Sequence, residues 1–141
     1  MSLELLFDEN FGRPIIKALG EFLVFHELAP RVDHLLNRFA SEGDKDEEWI
    51  PKCAKEDWIV ITADKGGRGY AKLPRICRQF GVRHILLVGQ LVHRRQFEKV
   101  RAIIALWPQV LMTTDQPRGS RFKIKMAGDH PSLEFVPDRA T

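Results

Sequence analysis

Apolar runs alternate with amphipathic stretches along most of this chain, and the alternation predicts its elements. "LELLF", residues 3–7, reads as a short, largely apolar strand. Pro14 suits the first turn of a helix, where its missing N–H costs nothing. Ile15, Ile16 and Leu19 recur there at helical spacing, and Gly20 is expected to end the helix. "FLVFH", residues 22–26, reads as a second buried strand. "RVDHLLNRFA" carries Val32, Leu35, Leu36 and Phe39 at i, i+3, i+4 and i+7, so an amphipathic helix is expected. In the next helix Asp44 is the expected N-cap. Asp46, Glu47 and Glu48 fill the first turn, where acids complement the helix dipole. Trp49, Ile50, Cys53 and Ala54 make its apolar face, and Pro51 argues for a late start. "WIVIT", residues 58–62, and "HILLV", residues 84–88, read as strands buried on both faces. Between them lie the glycine-rich loop "ADKGGRGYAK" and the short helix "LPRICRQFG", ended by Gly81. "RRQFEKVRAIIALWP" predicts a long helix striped by Phe97, Val100, Ile103, Ile104 and Trp107. "QVLMTT" reads as a strand, "RFKIKM" as an edge strand with one wet face, and the tail from His130 as one more short strand.

Strands that alternate with helices and are apolar on both faces imply an α/β sandwich around a mostly parallel sheet. No repeat, low-complexity segment or linker interrupts the pattern. Residues 1–141 therefore read as a single domain with a β-rich end after Gln109.

Composition narrows the class. Of the 141 residues, 44% are hydrophobic and 29% charged, the profile of a soluble globular protein. No apolar run approaches the ~20 residues of a membrane span. The start lacks a basic segment followed by a long apolar one, so the expectation is a cytoplasmic protein without a secretory signal. A net charge of +3 and a pI near 9.0 permit a nucleic-acid partner without demanding one. Distribution says more than the sum. Acids cluster at "DEN" and "EGDKDEE", and bases at "KGGR", "KLPRICR", "RRQFEKVR" and "RGSRFKIK". Cys53 and Cys77 fall in helical segments and read as buried thiols, with no zinc-finger spacing. The histidines show no pairing, and Trp49, Trp58 and Trp107 fit core faces.

Candidate chemistry lies at the strand tips. Open α/β sheets build sites just beyond the carboxyl ends of their strands. Asp8 follows the first strand, and Asp64 follows "WIVIT" with Ala63 between. Asp46 opens the helix that feeds that same strand, so all three carboxylates can face one cleft. Gathering them raises like-charge repulsion, which a hard divalent cation such as Mg²⁺ or Mn²⁺ offsets. Each acid also has a plainer reading: Asp8 as an Asx-turn or N-cap residue, Asp46 as part of a charged first turn, Asp64 as a turn former. Lys65 and Arg68 in the glycine-rich loop, and Arg13 after the first acids, are candidates to meet a phosphate backbone.

"LLFDEN…RPIIKAL" followed by "DEEWIPKCAKEDWIVITADKG" is similar to the PIN-like nucleases, and most resembles their VapC-type toxin branch. The likeness runs over residues 3–90. It rests on an Asp ending the first strand, a helix carrying Asp46, Ile50 and Ala54, and a strand ending in Thr62-Ala63-Asp64. The resemblance implies a PIN-like three-layer α/β/α fold and Mg²⁺- or Mn²⁺-dependent RNA cleavage. Asp8, Asp46 and Asp64 would be the metal ligands, with Thr62 ordering the site through its hydroxyl. The further acid that many members carry has no clear counterpart here; Glu9, in the same turn as Asp8, is the secondary candidate. The expected activity is a metal-dependent endoribonuclease, the toxin of a toxin–antitoxin pair, with RNA, a cognate antitoxin and a second copy of the chain as partners. The alternative is a catalytically weak PIN-like module that binds RNA or protein. A phospho-receiver also gathers acids at strand tips, but "HILLV" is followed by Gly89 rather than the lysine it would need.

Overall fold

The computed structural model describes residues 4–8, 10–38, 45–63 and 72–137. The strands are β1 (Glu4–Phe7), β2 (Arg31–His34), β3 (Ile59–Ala63), β4 (His84–Leu87), β5 (Arg121–Ala127) and β6 (His130–Val136). They form one sheet in the order β2-β1-β3-β4-β5-β6. Every neighbouring pair is parallel except β5–β6, which is antiparallel. The helices are α1 (Arg13–Phe25), α2 (Leu35–Arg38), α3 (Asp46–Glu56), α4 (Lys72–Gln79), α5 (Gln96–Ala105) and α6 (Trp107–Met112).

Alternation along the strands sorts the core into two layers. Leu5, Phe7, Ile59, Ile61, Ile85, Leu87, Phe122 and Ile124 face α1, α5 and α6. Leu6 and Val60 face α3 and α4, where Trp49, Ile50, Cys53, Ile76 and Cys77 are buried. Helices on both sides of a mostly parallel sheet make the expected α/β/α sandwich. No helix among the described residues is long and apolar enough to cross a membrane.

Several elements differ from their sequence reading. "FLVFH" is not a strand: α1 runs through Gly20 to Phe25 and buries Ile16, Leu19, Gly20 and Leu23. Gly20 belongs to that stripe because the helix lies close to β2 there; a Cβ on it would stand 3.3 Å from the Val32 Cβ. The spacing of Val32, Leu35 and Leu36 is helical by coincidence, and Phe39 lies outside the described residues. Residues 31–34 form β2, fastened to β1 by the Arg31–Glu4 ion pair at 2.6 Å, and among the described residues the helical part is α2, Leu35–Arg38. Helix α3 begins at Asp46, not late, so Pro51 sits inside it; Asp44 lies outside the described residues. The long helix is two, since α5 stops at Ala105 and Pro108 restarts the chain in the first turn of α6. Val100 and Ile103 keep their buried place, whereas Phe97 and Ile104 are exposed. "QVLMTT" is therefore helical, continuing from α6 into a 3₁₀ turn at Thr113–Asp115. Finally, β5 is interior rather than an edge, because β6 takes the edge position.

Candidate active site

The tip of β1 is held from three sides. Asp8 continues the ladder one residue beyond β1, its N–H donating to the Ile61 carbonyl at 3.1 Å. It is 6% exposed. Burying a charge is costly unless it is hydrogen-bonded, and Asn10 supplies the bonds. The Asn10 N–H donates to Asp8 Oδ1 at 3.2 Å and the Asn10 amide to Oδ2 at 2.8 Å. The Asx-turn reading of Asp8 is thus part of the geometry. It does not exhaust the carboxylate, which has about four acceptor sites.

Gln96, the first residue of α5, clamps the turn from the far side. Its amide donates to the Asn10 carbonyl at 2.9 Å, and its Oε1 accepts from the Gly12 N–H at 3.2 Å. The Gly12 N–H is at the start of α1, where no side-chain cap is present. Buried His34, at the end of β2, donates from Nε2 to the Phe11 carbonyl at 2.7 Å. Neither Gln96 nor His34 is recognisable as a site residue from sequence, because both partners are backbone groups far away along the chain.

Asp46 opens α3, and the Trp49 indole N–H donates to its Oδ1 at 3.2 Å. Trp49 is buried among Leu6 and Val60, so its indole fixes the acid against the sheet. Asp8 stands two residues on from Leu6, whose side chain packs in that same cluster, so Asp8 and Asp46 belong to the same face of the sheet. An antiparallel helix–strand connection puts the start of α3 at the carboxyl end of β3, beside the tip of β1. Asp64, Glu9, Lys65 and Arg68 lie outside the described residues. Among those described, no three metal-ligating side chains cluster. Arg13 is exposed at the first residue of α1.

Thr62 lies fully buried in β3, and its hydroxyl meets His84 Nε2 at 2.7 Å. Its described partner is therefore an imidazole and not a carboxylate. Burial first, and the Arg121 charge second, lower the His84 pKa to about 3, so the ring is neutral at pH 7. Cys53 and Cys77 are core thiols; burial pushes Cys53 up to about 12 and raises Cys77 as well. Soft ligands are thus withdrawn into the core, while the rim offers carboxylate oxygens. That donor set suits a hard ion, which keeps several waters beside one or two carboxylates.

A family model described as a PIN-like domain matches residues 3–87. The curated proteins and the solved structures compared with the chain include no match to it. The matched stretch contains β1, β3, β4 and both described acids, Asp8 and Asp46. PIN-like domains are generally nucleases, and they typically use divalent metal ions. With its α/β/α layers and its buried aspartate at the tip of β1, this chain belongs to the PIN-like domain family.

Proposed function

We propose that this chain is a metal-dependent endoribonuclease and the toxin of a toxin–antitoxin pair. The observation that carries the reading is Asp8, a 6%-exposed carboxylate fixed by Asn10 at the tip of an interior strand, on the sheet face where Asp46 opens α3. A solvated turn would not require that burial. Asp8, Asp46 and Asp64 hold the ion, Glu9 is the secondary ligand, and Thr62 steadies β3 beneath them. Bound there, Mg²⁺ or Mn²⁺ supplies a Lewis acid and a water of lowered pKa at the phosphodiester. The chain's own work is to fix the carboxylates and to meet the flanking phosphates with Arg13, Lys65 and Arg68. An antitoxin would restrain the enzyme by covering the acidic cleft.

The test is RNA incubated with the purified chain and Mg²⁺ or Mn²⁺, with and without EDTA. Cleavage should require the metal. Asp8→Asn should lower it by at least the ~100-fold that loss of an outer-shell partner alone can cost. Equal RNA integrity with wild type and Asp8→Asn under both metals removes the proposal. Asn10, which takes part of the Asp8 carboxylate for a local turn, favours one competing reading: a catalytically weak RNA- or protein-binding module. Calorimetry without any Mn²⁺ binding, together with RNA binding untouched by Asp8→Asn, would select that module.

A further inference from the structure

Beyond residue 87, where the family match ends, β5 and β6 extend the sheet by two strands. Phe122 and Ile124 point into the core beneath α5. Alternation sends Arg121, Lys123 and Lys125 to the opposite face, the side of α3 and α4. Arg121 lies half-buried beside Pro74 of α4, and the Lys123 and Lys125 side chains further along the strand are 42% and 43% exposed. The cations repeat every second residue, roughly 6–7 Å apart along an extended strand. Glu134 on β6 is shared between the two lysines, at 3.6 and 2.7 Å, so one acid offsets two bases. Arg121 has no acidic partner among the described residues. Beside this line runs a slot of about 180 Å³, lined by Pro74, Leu86, Arg121 and Lys123 among others.

The placement relative to Asp8 is what gives the surface meaning. Phe7 pairs with Ile61, Thr62 with Leu86 and Leu86 with Lys123, so Asp8 and Lys123 stand at the same level of the sheet. Three strand spacings separate them, about 15 Å. Both side chains leave by the same face.

We infer that the open face of β5 and β6 is a docking track for single-stranded RNA, with Arg121, Lys123 and Lys125 on successive phosphates and the slot beside Leu86 open to a base. The choice of RNA rests on the proposed function; the track itself rests on charge, exposure and register. A polyanion fits because neutralising its phosphates releases counterions, a gain that a single carboxylate-bearing peptide does not supply. A single strand fits because an unpaired base, unlike one stacked in a duplex, can turn into a slot of about 180 Å³.

The experiment measures binding, not cleavage. Fluorescence anisotropy follows a labelled single-stranded RNA titrated with the full chain in EDTA, across a series of salt concentrations. The triple variant R121Q/K123Q/K125Q should bind about tenfold or more weakly at 0.1 M salt. Its log–log salt slope should be smaller by about 2, since each phosphate left unneutralised removes ~0.7 from the slope. E134Q, which releases both lysines, should bind more tightly than wild type, and it guards against a fold defect in the triple variant. Wild-type affinity and slope in both variants would overturn the inference, as would wild-type chain that binds no RNA at low salt. If binding follows these variants but no metal supports cleavage, the track stands and the nuclease reading falls. If cleavage is robust while the variants change nothing, the reverse holds.

Discussion

His84 and Glu27 carry consequences out of proportion to their size. His84 is buried and neutral, with its pKa lowered to about 3 against 6.5 in the unfolded chain. A lowered folded-state pKa means that the unfolded chain takes up the proton first as pH falls. The stability tied to the neutral ring is therefore complete above pH 6.5 and is lost progressively toward pH 3. His84→Gln keeps an amide at the Nε2 position without a titratable ring. Urea unfolding of the wild type should lose about 1.4 kcal/mol per pH unit more than His84→Gln over that interval; parallel pH profiles would show that the ring titrates normally. Glu27 occupies the left-handed region at φ 57°, which favours glycine. It is exposed and contributes no described side-chain bond. Glu27→Gly should raise stability by about 0.5–1 kcal/mol, read as a higher urea midpoint at unchanged slope. In Asp57→Gly the gain should be smaller, since Asp57 also meets Arg83 at 3.3 Å. At this scale the sequence is only partly readable. Asp8 and Asp46 are legible because their type and their place after a strand or before a helix are local facts. The Thr62–His84 bond, 22 residues apart in the chain, and the Gln96 clamp are products of folding, and no spacing encodes them.

Helices α1, α3 and α4 all stop in the same way. After each, a left-handed residue turns the chain, and the next N–H reaches back to a carbonyl five residues before it: Leu28 to Leu23, Trp58 to Cys53, Val82 to Cys77. Only the third uses glycine, at Gly81, and only the third is visible in the sequence. The missing glycine signal after α1 is why Gly20 looks like a stop and "FLVFH" like a strand. An apolar run of five residues has no period of its own to decide between the two. The link between α5 and the β1 tip belongs to this scale as well. Gln96→Ala removes both bonds to the Asn10–Gly12 turn, at a cost of about 1 kcal/mol. Its signature is local: amide exchange at Gly12 should accelerate, and Mn²⁺ affinity should fall while the melting cooperativity of the chain is kept. Unchanged Gly12 exchange would mean that the clamp does not hold the turn in solution.

For the whole molecule, the sheet is the most legible feature and its margins the least. Val, Ile and Leu runs bounded by turn residues, with no polar alternation, fit strands covered on both faces, so β3 and β4 are readable from sequence. Strand β2 hides because half-exposed edge residues such as Arg31 and Asp33 resemble a helix surface. Strand β5 looks like an edge because its basic face is open to water, yet it has neighbours on both sides. Exposure of a face and exposure of an edge leave the same mark on sequence, and only pairing tells them apart.

The pairing of β4 with β5 also determines what the molecule can do without. All four residues of β4 are buried, and the matched stretch ends with its last residue, Leu87. A chain stopped there would present bare amides and carbonyls along an oily, unguarded ribbon, the kind of template on which proteins stick to one another. The final two strands are thus a keel for the nuclease-type unit, and a chain cut after Leu87 should aggregate where the full chain does not.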